Sequence, residues 1–489
     1  MDREKFLYFS FLLLLLFSVT ARSSSLDGAI NGGFEKGVLD LQKLPWKREQ
    51  KVNCIFQKPR VEKGATSLQM HQRDYCSNKV TDWDKTLHTR LTLDVIRVKS
   101  LQSRFKSSIL SGETQTLNPL SSDSQIPLTS GARLQTLNYI VTVAIGGRNL
   151  TLVVDTGSDL TWVQCRPCRL CYAQQDPLFD PSSSPSYRPL PCNSTACSAL
   201  QFDTGNTAAC RNRNSSSCTY AASYGDGSYS RGELGFETLN LGNNVIDDFI
   251  FGCGRDNKGL FGGTSGLMGL SRSELSIVYQ TSSVFGQVFS YCLPSIDAGG
   301  TGSLTMGTGD FSSFRNVSPI SYTRMIHLPE ISGFYFLNVT GISVGGVKLD
   351  VPRFGSKRDM CIIDSGTVIS RLSPMIYRAL KTEFEKQFSG FPTAPGYSIL
   401  NTCFNLSGFQ DVKVPTIRFH FEGDAELTVD AEGSFYFAKS DGSQICLAFA
   451  SLADEDEIGI IGNYQQKNRR VVYDLKESRL GFAEEPCSF

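Results

Sequence analysis

Apolar positions change their period along the chain, and the changes mark its regions. Phe6 to Val19 is an apolar run with consecutive leucines from Leu12 to Leu16. It is short for a bilayer span, and small residues follow it, so it reads as a secretory signal with cleavage after Ala21. From His88 to Phe105 the residues Leu87, Leu91, Val95, Val98, Leu101 and Phe105 recur at helical spacing, with Arg90, Arg97, Lys99, Arg104 and Lys106 among them. That spacing predicts a basic amphipathic helix, which either lies over an acidic cleft or is solvated in a small prodomain. Ser111 to Ser130 is rich in Ser, Thr, Pro and Gly and reads as an exposed linker with a processing site, ahead of a folded body starting near Leu134. Beyond it, short β-branched and aromatic runs dominate, such as Tyr139–Val143 and Ile417–Phe421, with turns between them. The body therefore reads as mostly β.

Two of these apolar runs end in an acid. Leu152-Val153-Val154 leads into Asp155-Thr156-Gly157-Ser158, and Ile362-Ile363 leads into Asp364-Ser365-Gly366-Thr367. Burying one carboxylate in such a place is unfavourable, and the recurrence suggests that the two acids meet. Carboxylates that share a site hold one proton between them, so the charged member can activate a water while the neutral one donates a proton. A weak repeat supports a matched pair. Each acidic turn is followed by an apolar-Gly segment, Gly266-Leu267-Met268-Gly269-Leu270 in one half and Gly459-Ile460-Ile461-Gly462-Asn463 in the other. Two such halves imply two lobes with a cleft between them.

Composition adds the compartment. A chain of 489 residues exceeds one ordinary core. Its 15 cysteines suit an oxidising environment. So do the glycosylation sequons at Asn149, Asn193, Asn214, Asn316, Asn338 and Asn405. The net charge of zero hides a division: residues 1–130 hold 19 Lys and Arg against 13 Asp and Glu, leaving an acidic remainder. A basic leader on an acidic body suggests a prosegment docked partly by charge, which acid would release, with cleavage between about Ser111 and Leu134. The body has only His327 and His420, with no His-Glu-x-x-His motif and no Gly-x-Ser-x-Gly elbow, so zinc-protease and Ser-His-Asp chemistries lack support.

The body, roughly residues 134–489, resembles the pepsin-like aspartic proteases, most closely their plant nepenthesin-like branch. Asp155 to Trp162 resembles the first catalytic loop, Asp364 to Thr367 the second, and Tyr224-Gly225-Asp226-Gly227-Ser228 the flap. The resemblance implies a bilobal fold of two pseudo-symmetric β lobes with a central cleft. The domains expected are a signal peptide (1–21), a propeptide (22–130), an N-terminal lobe (131–318) with a Cys-rich insertion and the flap, and a C-terminal lobe (319–489). It implies an endopeptidase working at acid pH through water activated by Asp155 and Asp364, made as a secreted zymogen. Thr156 and Ser365 would buttress the loops, and Gly157 and Gly366 complete the catalytic turns. Ser158 and Thr367 would hold the outer carboxylate oxygens. Tyr224 would close over the scissile bond, and the Gly225 amide would reach substrate backbone. Trp162 either supports Tyr224 through its indole N–H or is a plain core aromatic. Asp226 either favours a basic substrate side chain or is simply a turn residue.

Cys165, Cys168, Cys171, Cys192, Cys197, Cys210 and Cys218 lie where the nepenthesin-like branch has a disulfide-rich insertion. Cys-x-x-Cys-x-x-Cys can also bind zinc, but no paired His accompanies it, so no metal and no cofactor is expected. Cys403 with Cys446 is the pair that the resemblance implies in the second lobe. Cys253, Cys292 and Cys487 are further disulfide candidates, Cys54 and Cys76 a possible leader pair, and Cys361 a leftover, buried thiol. Expected partners are polypeptide substrates and the chain's own propeptide. A monomer is expected, without nucleic acid or membrane anchor, in the apoplast or vacuole. Two rivals stand beside this reading. One is a non-catalytic inhibitor or binding protein on the same fold. The other is a nucleic-acid-binding protease of the chloroplast-nucleoid type, for which Lys467, Arg469 and Arg470 form the best basic cluster.

Overall fold

A computed structural model of the chain describes residues 34–42, 56–62, 64–72, 83–113, 139–204, 210, 217–224, 227–259, 261–294, 301–307, 318–352 and 360–487. The expected signal segment, Cys54, Cys76, most of the linker, Asn214, Asn316, Gly225 and Asp226 lie outside them. One compact unit, residues 35–489, holds nearly everything described.

That unit is mostly β and bilobal. Strand alternation is plain in Ile417–Phe421, where Ile417, Phe419 and Phe421 are buried while Arg418 and His420 are half-buried. In the first half, Arg148–Asp155 runs parallel to Gly266–Gly269, which pairs antiparallel with Trp162–Gln164, itself parallel to Asn244–Lys258. In the second, Met360–Ile363 runs parallel to Gly459–Ile461, which pairs antiparallel with Ser370–Leu372, itself parallel to Phe449–Ser451. The weak sequence repeat is thus a repeat of topology. Its glycines allow close backbone approach: a Cβ on Gly266 would lie 1.9 Å from the Trp162 carbonyl oxygen, and one on Gly462 2.6 Å from that of Val368.

The leader is built into this body. Its strand Ala65–Gln72 lies between Thr301–Gly307 and Tyr139–Ile145, burying Leu68 and Met70. Lys36–Asp40 pairs antiparallel with Asp411–Pro415. The leader helix runs from Trp83 to Glu113, beyond the expected 88–105 at both ends. Leu87 and Leu91 pack with Val368, Ile369, Leu400 and Tyr436, while Val98, Leu101 and Phe105 pack with Phe334, Phe336, Ile458 and Ile460. Charge therefore supplements apolar burial in docking the leader.

Six disulfides are described: Cys165–Cys253, Cys168–Cys171, Cys192–Cys210, Cys197–Cys218, Cys292–Cys487 and Cys403–Cys446. Cys165 reaches out of the insertion to the long strand Asn244–Lys258. Sulfurs of Cys192, Cys197 and Cys210 lie within 4.8 Å of one another, but each is engaged in a disulfide. Cys361 is unpaired and buried, and burial pushes its thiol pKa well up.

Candidate active site

Asp155 closes the strand Arg148–Asp155, and Asp364 follows the strand Met360–Ile363. Each strand is buried on both sides, so it delivers its acid to the middle of the molecule. Their side chains are only 2% and 1% exposed. The turns hold them alike. Asp155 accepts from the Gly157 N–H at 3.0 Å and the Ser158 hydroxyl at 2.6 Å. Asp364 accepts from the Gly366 N–H at 3.0 Å and the Thr367 hydroxyl at 2.6 Å. The loops are also tied across the halves: the Thr156 N–H donates to Ser365 Oγ at 3.1 Å, and the Ser365 N–H to Thr156 Oγ1 at 2.9 Å. Gly366 has no alternative, because a Cβ there would lie 2.5 Å from an Asp155 oxygen.

One side chain of the leader sits on both acids. Arg97 Nη2 is 2.9 Å from Asp155 Oδ1 and 2.9 Å from Asp364 Oδ2, and its Nε and Nη1 reach the same two carboxylates. Burial raises the Asp155 pKa, but Arg97, Ser158 and the Gly157 amide outweigh it and hold the carboxyl below its ordinary value. Asp364 goes the other way: burial and the neighbouring Asp155 charge keep it above the ordinary value despite Arg97 and Thr367. The two groups are thus a pair with split affinities for a proton. Arg97 in turn is held more firmly charged than usual, its two carboxylates outweighing its burial. With the guanidinium in place, neither water nor substrate can lie between the acids. Without it, the pair can hold one proton and serve as base and acid together.

Over this centre, Thr219–Ser223 and Tyr229–Leu241 form an antiparallel hairpin, with Tyr224 at its turn. The indole N–H of Trp162 donates to the Tyr224 hydroxyl at 2.7 Å. Trp162 is also fully buried, edge-on to Phe261, so its bond to Tyr224 is made from within the core.

Sequence reasoning missed three polar residues of the leader helix that bind the body, one of them at the acids. Arg97 stands in the sequence as one of several basic residues of the helix, with nothing to set its role apart. Asp94, one turn earlier, forms a buried ion pair with Arg371 at 2.7 Å and accepts from the Val368 and Ile369 N–H groups. Gln102 exchanges two hydrogen bonds with the Ile458 backbone. The signal was present: Asp94, Arg97 and Gln102 interrupt the apolar stripe of the helix at positions that face the body. Of the described sequons, Asn149 and Asn193 are exposed and Asn405 half-buried. Asn338 is half-buried in a strand and donates to Glu422 at 2.7 Å. The basic cluster is not a surface patch: Arg470 is buried against Glu485, Lys467 lies over the Tyr464 ring, and Arg469 donates to the Thr428 carbonyl. Among the described residues, no helix is long and apolar enough to cross a membrane.

Two family models match the chain, described as xylanase inhibitor N-terminal over residues 139–308 and xylanase inhibitor C-terminal over residues 334–484. An aspartyl protease family protein of Arabidopsis thaliana is 42% identical over 446 residues, covering 89% of this chain and 90% of its own. Aspartic proteinase nepenthesin-1 of Nepenthes gracilis is 35% identical over 360 residues, covering 71% and 78%. Among solved structures, basic 7S globulin from soybean superposes with a TM-score of 0.55 at 20% identity, covering 71% of this chain and 93% of that one.

Proposed function

Because the chain belongs to the plant pepsin-like aspartic protease family, we propose that it is an endopeptidase made as an autoinhibited precursor and working at acid pH. The observation that carries this reading is the meeting of Asp155 and Asp364 on one guanidinium, each with the same hydroxyl and amide support. Once the leader helix is gone, a water between the carboxyls loses a proton to the charged member. Its oxygen attacks the peptide carbonyl carbon, and the neutral member gives its proton to the carbonyl oxygen. The tetrahedral diol then collapses: the C–N bond breaks, the leaving nitrogen takes up a proton, and the dyad ends with one proton again. Tyr224, held by Trp162, closes the cleft above the scissile bond.

Acid opens the precursor by linkage. In the docked state Arg97 favours ionised carboxylates, whereas the exposed pair holds a proton. Docking therefore releases protons, and it weakens as pH falls. The signal segment, disulfides and sequons support a secretory route, in the apoplast or the vacuole. An inhibitor on the same fold would have no need of both acids and their matched supports. Acid incubation of the purified precursor, followed by digestion of a denatured protein with and without pepstatin, tests the reading. Pepstatin-sensitive cleavage supports it, and a product that never cuts polypeptide overturns it.

A further inference from the structure

The two halves place unlike residues at equivalent positions. Trp162 lies seven residues after Asp155, and Arg371 seven after Asp364. Each sits opposite the apolar-Gly strand of its own half, Trp162 across from Leu267 and Arg371 across from Ile460. In the first half this position meets the cleft through Tyr224. In the second it meets the cleft through Asp94 of the leader. The Asp94 carboxylate is wholly shielded and takes three donors: Arg371 Nη2 at 2.7 Å, the Val368 N–H at 2.6 Å and the Ile369 N–H at 3.2 Å. Arg371 is 4% exposed, and its other described bond is to the Ile369 carbonyl at 2.8 Å. Among the described residues no second carboxylate pairs with it.

Asp94 and Arg97 belong to one helical turn, so the group that neutralises Arg371 leaves together with the group that blocks the acids. What remains is a cation on the newly uncovered wall and two backbone donors aimed at the same point, all three stripped of the carboxylate that matched them. Such a converging set of donors favours an anion that replaces the lost carboxylate. We propose that Arg371, with the Val368 and Ile369 amides, forms a specificity-determining cradle for the side-chain carboxylate of an Asp or Glu in the polypeptide substrate. Asp94 stands in for that carboxylate in the precursor. Asp94 and Arg97 are about 4.5 Å apart along the helix axis, and an extended peptide advances about 3.3 Å per residue, so the acidic residue falls within about three residues of the bond cut. This proposal rests on the reading of the chain as a protease whose leader helix vacates the cleft.

The test uses the acid-processed enzyme and a degenerate peptide library, with product sequencing. Pepstatin-sensitive cleavage with Asp and Glu enriched at one fixed position supports the proposal. Cleavage with no acidic preference overturns it while leaving the protease reading intact, and absence of cleavage overturns both. Matched peptides carrying Asp or Asn at the enriched position then measure the effect. At about pH 5 the Asp peptide has the higher kcat/KM, on the order of tenfold, the scale of one charge-assisted hydrogen bond. Arg371→Gln brings the ratio close to one while the Asn peptide is still cut; an unchanged ratio in that variant overturns the assignment to Arg371. Should Arg371→Gln not fold, the wild-type enzyme carries the test alone. The Asp-to-Asn ratio declines as acid protonates the substrate carboxyl, and a ratio independent of pH contradicts a charge cradle.

Discussion

Four hydroxyls and four amides aim the two acids. Ser158 and Thr367 take the outer oxygens, Gly157 and Gly366 donate their amides, and Thr156 and Ser365 exchange bonds across the halves. Ser365→Ala removes the acceptor of the buried Thr156 N–H and leaves it unsatisfied. The expected loss of stability is about 1–3 kcal/mol, read by denaturant unfolding of the processed enzyme. Arg97 acts on the same atoms from outside. Arg97→Ala leaves two buried carboxylates without their countercharge, a defect that typically costs about 3–5 kcal/mol and that proton uptake by the pair relieves only in part. The variant precursor is expected to process itself at a higher pH than the wild type, as judged by fragment size over a pH series. The motif residues around the acids were legible because each half spells them out in a row. The pairing of Asp94 with Arg371 was not: the break in the helix stripe marks Asp94 as a residue that faces the body, but nothing local names its partner, which lies 277 positions further along the chain.

Two elements of the leader respond to acid in the same direction. The helix brings Arg97 to the acids, and its hold weakens as they take up a proton. The strand Ala65–Gln72 brings His71, which is 4% exposed and has an unpartnered ring nitrogen, against Phe56 at 4.7 Å. Burial lowers the His71 pKa below 6.5. The docked strand thus carries a neutral imidazole that charges once exposed, so its docking is fully favourable above about pH 6.5 and is lost progressively as pH falls below it. His71→Gln should flatten the pH dependence of leader release by up to one proton and shift its midpoint to lower pH. Measuring the leader fragment retained on the body across a pH series checks this, and an unchanged profile rules His71 out as a trigger. The helical period of residues 88–105 was readable because leucines and valines repeat at three and four. The leader strand was not, since only its Leu68 and Met70 alternate and its partners, Thr301–Gly307 and Tyr139–Ile145, are far along the chain.

At the scale of the whole molecule, the repeat visible in two acid-bearing turns and two apolar-Gly segments is a doubled strand arrangement with a cleft at its seam. Sequence could supply the halves because each depends on contiguous runs. It could not supply the leader's place in the sheets or the destination of Cys165, because strand partners and disulfide partners are settled by long-range packing. The central claim is that Asp155 and Asp364, freed of Arg97, cut peptide bonds as one proton-sharing pair. The most direct measurement is hydrolysis of a peptide substrate at acid pH by the processed wild type and by Asp155→Asn, which is nearly isosteric and leaves the fold in place. A loss of at least about a thousandfold in kcat, with the residual rate no longer sensitive to pepstatin, is the predicted result. An Asp155→Asn enzyme that cleaves as fast as the wild type would contradict the account.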